Sequence, residues 1–154
     1  MMNTYFHLRA VPPSALRNRA TWLRRLFEDD WDAVRERIDR RREEMLDKRY
    51  LDHEFLYAGA NVVLGGGTVF NPDPNKPPFL LLTAAQAARV ATFLTSTDFE
   101  TLWRPARDEL VSRYGGAEAE PETRCVFAAA HRDLTEFYAQ TAHYGDAVVK
   151  WVLP

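Results

Sequence analysis

An α/β fold, a three-layer arrangement of a mixed sheet with helices on both faces, is what this sequence predicts. Three observations carry the prediction. Thr4 to Val11 alternates, with Phe6, Leu8 and Ala10 on one side and Tyr5, His7 and Arg9 on the other, the period of a half-buried strand. A second strand pattern closes the chain, where only Lys150 interrupts the apolar stretch Ala147 to Leu153. Between them lies Phe79–Leu80–Leu81–Leu82, a continuous apolar run bounded by prolines and a helix start, which suits a strand covered on both faces. Helical blocks separate these strands, and long helical connections favour a mixed, largely covered sheet.

Each element has its own signals. Pro12–Pro13 ends the first strand, and Ser14 is placed to accept hydrogen bonds from the free amides of a following helix. In that helix Leu16, Ala20, Leu23 and Phe27 recur at helical spacing, widened by Trp22 and Leu26. A second helix follows, with Trp31, Val34, Ile38 and Met45 as its buried edge, and a third spans Asp47 to about Tyr57, stopping before Gly59. Short strands at Asn61–Leu64 and Thr68–Phe70 flank the turn Gly65–Gly66–Gly67, ahead of a proline-rich loop. Thr83 and Gln86 form a capping box for the helix carrying Val90, Phe93 and Leu94 inward. Thr97 and Glu100 repeat that box, and Pro105 is read as the start of a new helix lined by Leu110, Val111 and Tyr114 and closed by Gly115–Gly116. A longer helix from about Pro121 buries Phe127, Leu134, Phe137 and Tyr138 and ends at Gly145. No repeat or linker divides residues 1–154, so a single domain is expected.

Composition narrows the function classes. At 154 residues, 46% hydrophobic and 27% charged, the chain is long enough for a proper core and is not a disordered one. The net charge of −2 hides an arginine-rich span from Arg17 to Arg49, interleaved with acids from Glu28 to Glu44. Mixed signs of that kind read as a solvated helix face, not a nucleic-acid track, and Arg40–Arg41–Arg42 is too short for a phosphate stripe. No nucleic-acid or membrane partner is therefore expected. The single Cys125 excludes an intrachain disulfide and fits a reducing, cytoplasmic setting. No secretion signal or membrane span is apparent, since the longest uncharged stretch, Phe55 to Pro72, holds Asn61, Asn71 and three glycines.

The segment from Leu46–Asp47–Lys48 through Tyr50 to Gly59 resembles the YfbM-like bacterial proteins, a domain family of unknown function. Leu64–Gly65–Gly66 looks like the glycine turn of that family. Phe79 to Thr83 with Gln86 looks like its strand leading into a helix, and Leu134, Phe137–Tyr138 and Gly145–Asp146–Ala147–Val148 like its closing helix and strand. The resemblance covers most of the chain from Leu46 onward but not the two helices between Ser14 and Met45. It implies a three-layer α/β arrangement and no known activity. The family pattern has a Trp followed by two histidines where this chain has Tyr50, Leu51 and Glu54, with His53 in another register, so no histidine site carries over.

Candidate chemistry is sparse. His7, His53, His131 and His143 form no i, i+4 pair, and the neighbours Asp52–His53–Glu54 point in different directions on a helix, so neither a metal nor any other cofactor is expected. Cys125 reads as a small packing residue. The glycine turn lacks a dinucleotide or P-loop fingerprint. Asp47 and Lys48 read as helix-start residues. No catalytic residue is assigned. A binding site is expected where Tyr50, Glu54, Gly65, Gly66 and Asp146 would approach one another. The leading expectation is a non-catalytic protein- or ligand-binding module, possible versions being an immunity-type or accessory protein. An enzyme with an unrecognised site acting on a small molecule and a structural homodimer are the alternatives.

Overall fold

The computed structural model describes residues 5–47, 50–57 and 63–153, and of Tyr50, Leu51 and Leu153 the backbone only. Strand β1 (Tyr5–Val11) is followed by a 3-10 turn (Pro13–Arg17), α1 (Ala20–Arg25), α2 (Trp31–Asp39), β2 (Glu43–Leu46) and α3 (Tyr50–Leu56). Then come β3 (Thr68–Phe70), β4 (Phe79–Leu82), α4 (Ala84–Ser96), α5 (Phe99–Arg113), α6 (Glu120–His143) and β5 (Ala147–Leu153). The strands form one sheet in the order β2-β1-β5-β4-β3. The α/β class stands, but the sheet is antiparallel in all four pairings and not mixed. A connection holding several helices can return a strand in either direction, so crossover length alone did not decide the pairing.

Alternation along the two central strands divides the core. Phe6 and Leu8 of β1, Leu82 of β4 and Val148 of β5 face α4, α5 and α6, where Leu94, Trp103, Leu110, Phe127, Leu134 and Phe137 complete the larger apolar layer. Val11, Phe79, Leu81, Ala147, Val149 and Trp151 point the other way, against Ala15 and Leu23 of the 3-10 turn and α1. Phe79 and Trp151 stack there at 4.5 Å between ring centroids. Helices therefore cover both faces. The Trp151 indole also donates to the Pro77 carbonyl at 2.8 Å, tying the proline-rich loop to the last strand.

Several local expectations are corrected. Ser14 caps nothing: a 3-10 turn starts on Pro13, and Asn18 and Arg19 are extended, so the first helical block is broken into two short pieces. Met45 is not on a helix edge. The chain leaves α2 at Arg40, turns through Arg41 at φ 60°, and enters β2. The cap of α5 is Asp98, whose carboxylate accepts from the Glu100 amide, and not Thr97. Pro105 lies inside α5, on an exposed position, where the carbonyl it leaves without a partner belongs to exposed Thr101 and can bond water. Cys125 is exposed and not packed. The expected strand at Asn61–Leu64 falls partly outside the described residues, and Val63 is 3-10 and Leu64 turn.

The capping box of Thr83 and Gln86 is present in both directions, at 3.2 and 2.9 Å. Among the described residues no helix is long and apolar enough to cross a membrane.

Candidate functional site

The expected site residues divide into two places. Lys150 lies on the α6 side of β5, fully buried, opposite Leu8 and Leu80. Its amine donates to the Val63 carbonyl at 2.9 Å and to the Gly65 carbonyl, so the one polar residue of the last strand grips the glycine turn. Gly66 is pressed against β4: a Cβ there would come within 2.7 Å of Leu80 Cβ and 3.1 Å of its Cα. Glu54 is exposed on α3, and its charge opposes the effect of burial on Lys150. Of the expected residues, Gly65 contacts this lysine, Gly66 packs on the neighbouring Leu80, and Glu54 acts on the amine through its charge. The Tyr50 side chain lies outside the described residues. Asp146 stands apart, just before the start of β5 and four residues before Lys150 in the chain.

A buried polar chain continues from the lysine. The Tyr138 hydroxyl donates to the same Val63 carbonyl at 2.6 Å, and its ring lies 5.7 Å from the Lys150 amine. Tyr57, at the end of α3, meets His131 Nδ1 at 2.7 Å. Burial lowers the pKa of His131, an effect that the Thr97 backbone and Asp98 partly offset. Burial pushes the Lys150 amine well below its ordinary range and the Tyr57 and Tyr138 hydroxyls above theirs. These groups spend their hydrogen bonds on holding α3, the glycine turn, α6 and β5 together.

Asp146 belongs to a second place, which the fold builds with two chain reversals. At the end of α6 the Gly145 amide bonds Ala142 at 3.1 Å and the Asp146 amide bonds Thr141 at 3.0 Å, a Schellman motif that needs the left-handed φ of 66° at Gly145. Asp146 is thereby set directly beneath the helix end. Across from it, the left-handed Arg41 turns the chain so that the Arg42 carbonyl accepts from Ala10, which starts the pairing of β2 with β1. Arg42 then forms an ion pair with Asp146, and its guanidinium lies 4.8 Å from the centre of the exposed Tyr144 ring.

A cleft of about 580 Å³ opens there, lined by Arg40, Arg42, Gln140, Tyr144 and Asp146. Arg40 is paired to Glu36 at 2.8 Å on the solvent side. Arg42 Nη2 is satisfied by Asp146, whereas Nη1 is buried and has no hydrogen-bond partner. The lining therefore carries two guanidiniums, one paired to Glu36 and one to Asp146, an aromatic face, and an amide able to donate or accept.

Behind the cleft, Glu44 projects from β2 toward α6. Arg41 lies 3.7 Å from Glu44 and from Asp133, and 2.7 Å from Glu136, so three carboxylates share one guanidinium. Burial, then the charge of Asp133, pushes the Glu44 carboxyl up to about 7. On the opposite face Glu43, also buried, sits 3.5 Å from Arg37 and is likewise raised by burial. Sequence reading placed both acids on a solvated helix face. Only recognition of the strand at Glu43–Leu46 would have found them, and two adjacent acids are a poor strand signal. Among the described residues no group of three or more His, Cys, Asp or Glu is arranged to hold a metal ion.

The model of one protein family, described as a domain of unknown function, DUF1877, matches residues 1–151. The chain belongs to the DUF1877 family. Among solved structures it is similar to that of a protein of unknown function, YfbM, from Escherichia coli, with a TM-score of 0.53 and 16% sequence identity, covering 99% of this chain and 100% of that one. At that identity the likeness speaks for the fold of this DUF1877 chain. No curated protein matches the sequence. The matched region includes the two helices between Ser14 and Met45 that residue-by-residue resemblance left out.

Proposed function

We propose that this chain is a small cytoplasmic, non-catalytic binding module that takes an anionic ligand in the cleft beside Arg42. The observation that carries the reading is the composition of that cleft, in which two guanidiniums, Arg40 and Arg42, line one opening and Tyr144 supplies an apolar wall. A carboxylate or phosphate group would find a guanidinium already held by Asp146 and Tyr144, so little side-chain freedom is lost on binding. A non-catalytic role is supported by how the buried ionisable groups are used. Lys150 is spent on two carbonyls, His131 lies between Tyr57 and Thr97, and Glu43 and Glu44 lie against arginines.

The test is the thermal midpoint of the protein with increasing inorganic phosphate and, separately, citrate. A ligand that binds only the folded state raises the midpoint in a saturating manner. The rise is expected in the native chain and should vanish in Arg40→Ala and Tyr144→Ala, both exposed positions whose removal spares the core. An equal rise in these variants, or none in the native chain, would refute the assignment.

A further inference from the structure

Most acids near the N-terminal arginines are already engaged. Asp29 receives Arg37 at 2.9 Å and Arg9 at 3.6 Å, and the Asp30 carboxylate caps α2 through the Ala33 amide at 2.9 Å. The segment from Pro12 to Phe27 has no acid of its own and contains Arg17, Arg19, Arg24 and Arg25. Among the described residues none of these four forms an ion pair or a side-chain hydrogen bond. Their common place is the outer side of the layer that covers the smaller core.

The geometry of α1 explains why they collect there. Leu23 is fully buried against the sheet, with Leu26 and Phe27 packed beside it. Trp22 and Arg25 are neighbours three apart on α1, Arg19 is the extended residue just before its first turn, and all three are exposed. Beneath the helix end, Arg9 donates to the Leu26 carbonyl at 2.6 Å and fixes it to β1. The result is two guanidiniums without an ion pair, one preceding α1 and one at its end, with an exposed indole between them in the chain. Trp31, the first residue of α2, is more than half exposed as well.

We infer that this row docks an acidic segment of a partner protein, with carboxylates on Arg19 and Arg25 and an apolar side chain against Trp22. Arginine and tryptophan are the residue types that dominate protein-binding surfaces, and charge complementarity selects an acidic partner. A protein is favoured over a nucleic acid because the row is short and bounded by acids. The 3-10 turn and α1 together extend roughly 20 Å. The next residues, Glu28, Asp32 and Glu36, are exposed acids that would repel a continuing phosphate backbone. This surface is independent of the Arg42 cleft.

The experiment measures fluorescence anisotropy of a labelled oligo-glutamate peptide with one central leucine, against oligo-dT of equal length, titrated with the full chain. The peptide should bind, more weakly as salt rises. The double reversal Arg19→Glu/Arg25→Glu should weaken it about tenfold or more. Because both side chains are exposed, the variant should keep the native circular dichroism, and the milder Arg19→Gln/Arg25→Gln serves if it does not. Trp22→Ala should weaken binding with no change in its salt dependence. Absence of peptide binding at low salt, binding unchanged by both double variants, or tighter binding of oligo-dT would overturn the inference.

Discussion

Glu44 offers the sharpest quantitative test of how this fold is held. Its carboxyl faces Arg41 from its own turn and Asp133 and Glu136 from α6, and it receives a backbone hydrogen bond at Met45. With its side chain only 7% exposed, desolvation outweighs the single guanidinium shared among three acids. The pKa rises from 4.5 in the unfolded chain to about 7 in the folded one. Between these values the folded protein binds the proton that the unfolded chain releases, so stability is fully present below pH 4.5 and falls as pH rises through 7. At about 1.4 kcal/mol per pH unit, the shift corresponds to about 3 kcal/mol lost across that window. Glu44→Gln keeps the shape and removes the ionisation. Its stability should match the native protein near pH 4.5 and exceed it by about 3 kcal/mol at pH 8, some 6–12 °C in midpoint for a chain of this size. Urea denaturation at half-unit pH steps reads this directly. Parallel profiles for the two proteins would show that the Glu44 carboxyl is not held in a desolvated, acid-crowded place, and the reasoning would fail.

Three further outcomes follow from the buried network. Lys150→Met retains the stem and removes the amine; Val63 keeps the Tyr138 hydroxyl but Gly65 loses its donor, so amide exchange at residues 63–70 should quicken about tenfold while α4 and α6 stay unchanged. Unchanged exchange in that turn would mean the lysine does not grip it. Tyr57→Phe deletes the buried hydrogen bond to His131 Nδ1 and should cost about 1–3 kcal/mol in urea denaturation; a neutral result would show that this bond does not help hold α3 to α6. Gly66→Ala drives a Cβ into Leu80 and should cost about 1–3 kcal/mol, whereas an unchanged midpoint would show that β4 can yield.

What was legible in the sequence was what periodicity and punctuation encode. The alternation of β1, the apolar run of β4 and the closing strand were read at their observed places, and so were the capping box of α4 and the glycine end of α6. The turn after α2 was not. Arg41 adopts a left-handed conformation that arginine rarely takes, so no residue type announced the break, and Glu43–Glu44 looked like a continuation of the charged helix. The antiparallel order of the sheet depends on how three successive helices stack, which is a tertiary outcome. For the site, the glycine turn and Asp146 were recognised as special positions, yet they serve different places. Lys150 looked like an interruption of an apolar strand and is the residue that organises one of them. Its role needed the Val63 and Gly65 carbonyls, which come from 87 and 85 residues earlier in the chain.

The measurement closest to the central claim is a two-dimensional amide NMR titration of the full chain with inorganic phosphate. The account predicts saturating shifts confined to the turn around Arg40–Arg42 and to Gln140, Tyr144 and Asp146, with the Val63–Gly66 turn unmoved. Shifts centred on the glycine turn and Lys150, or a spectrum unchanged at saturating phosphate, would contradict it.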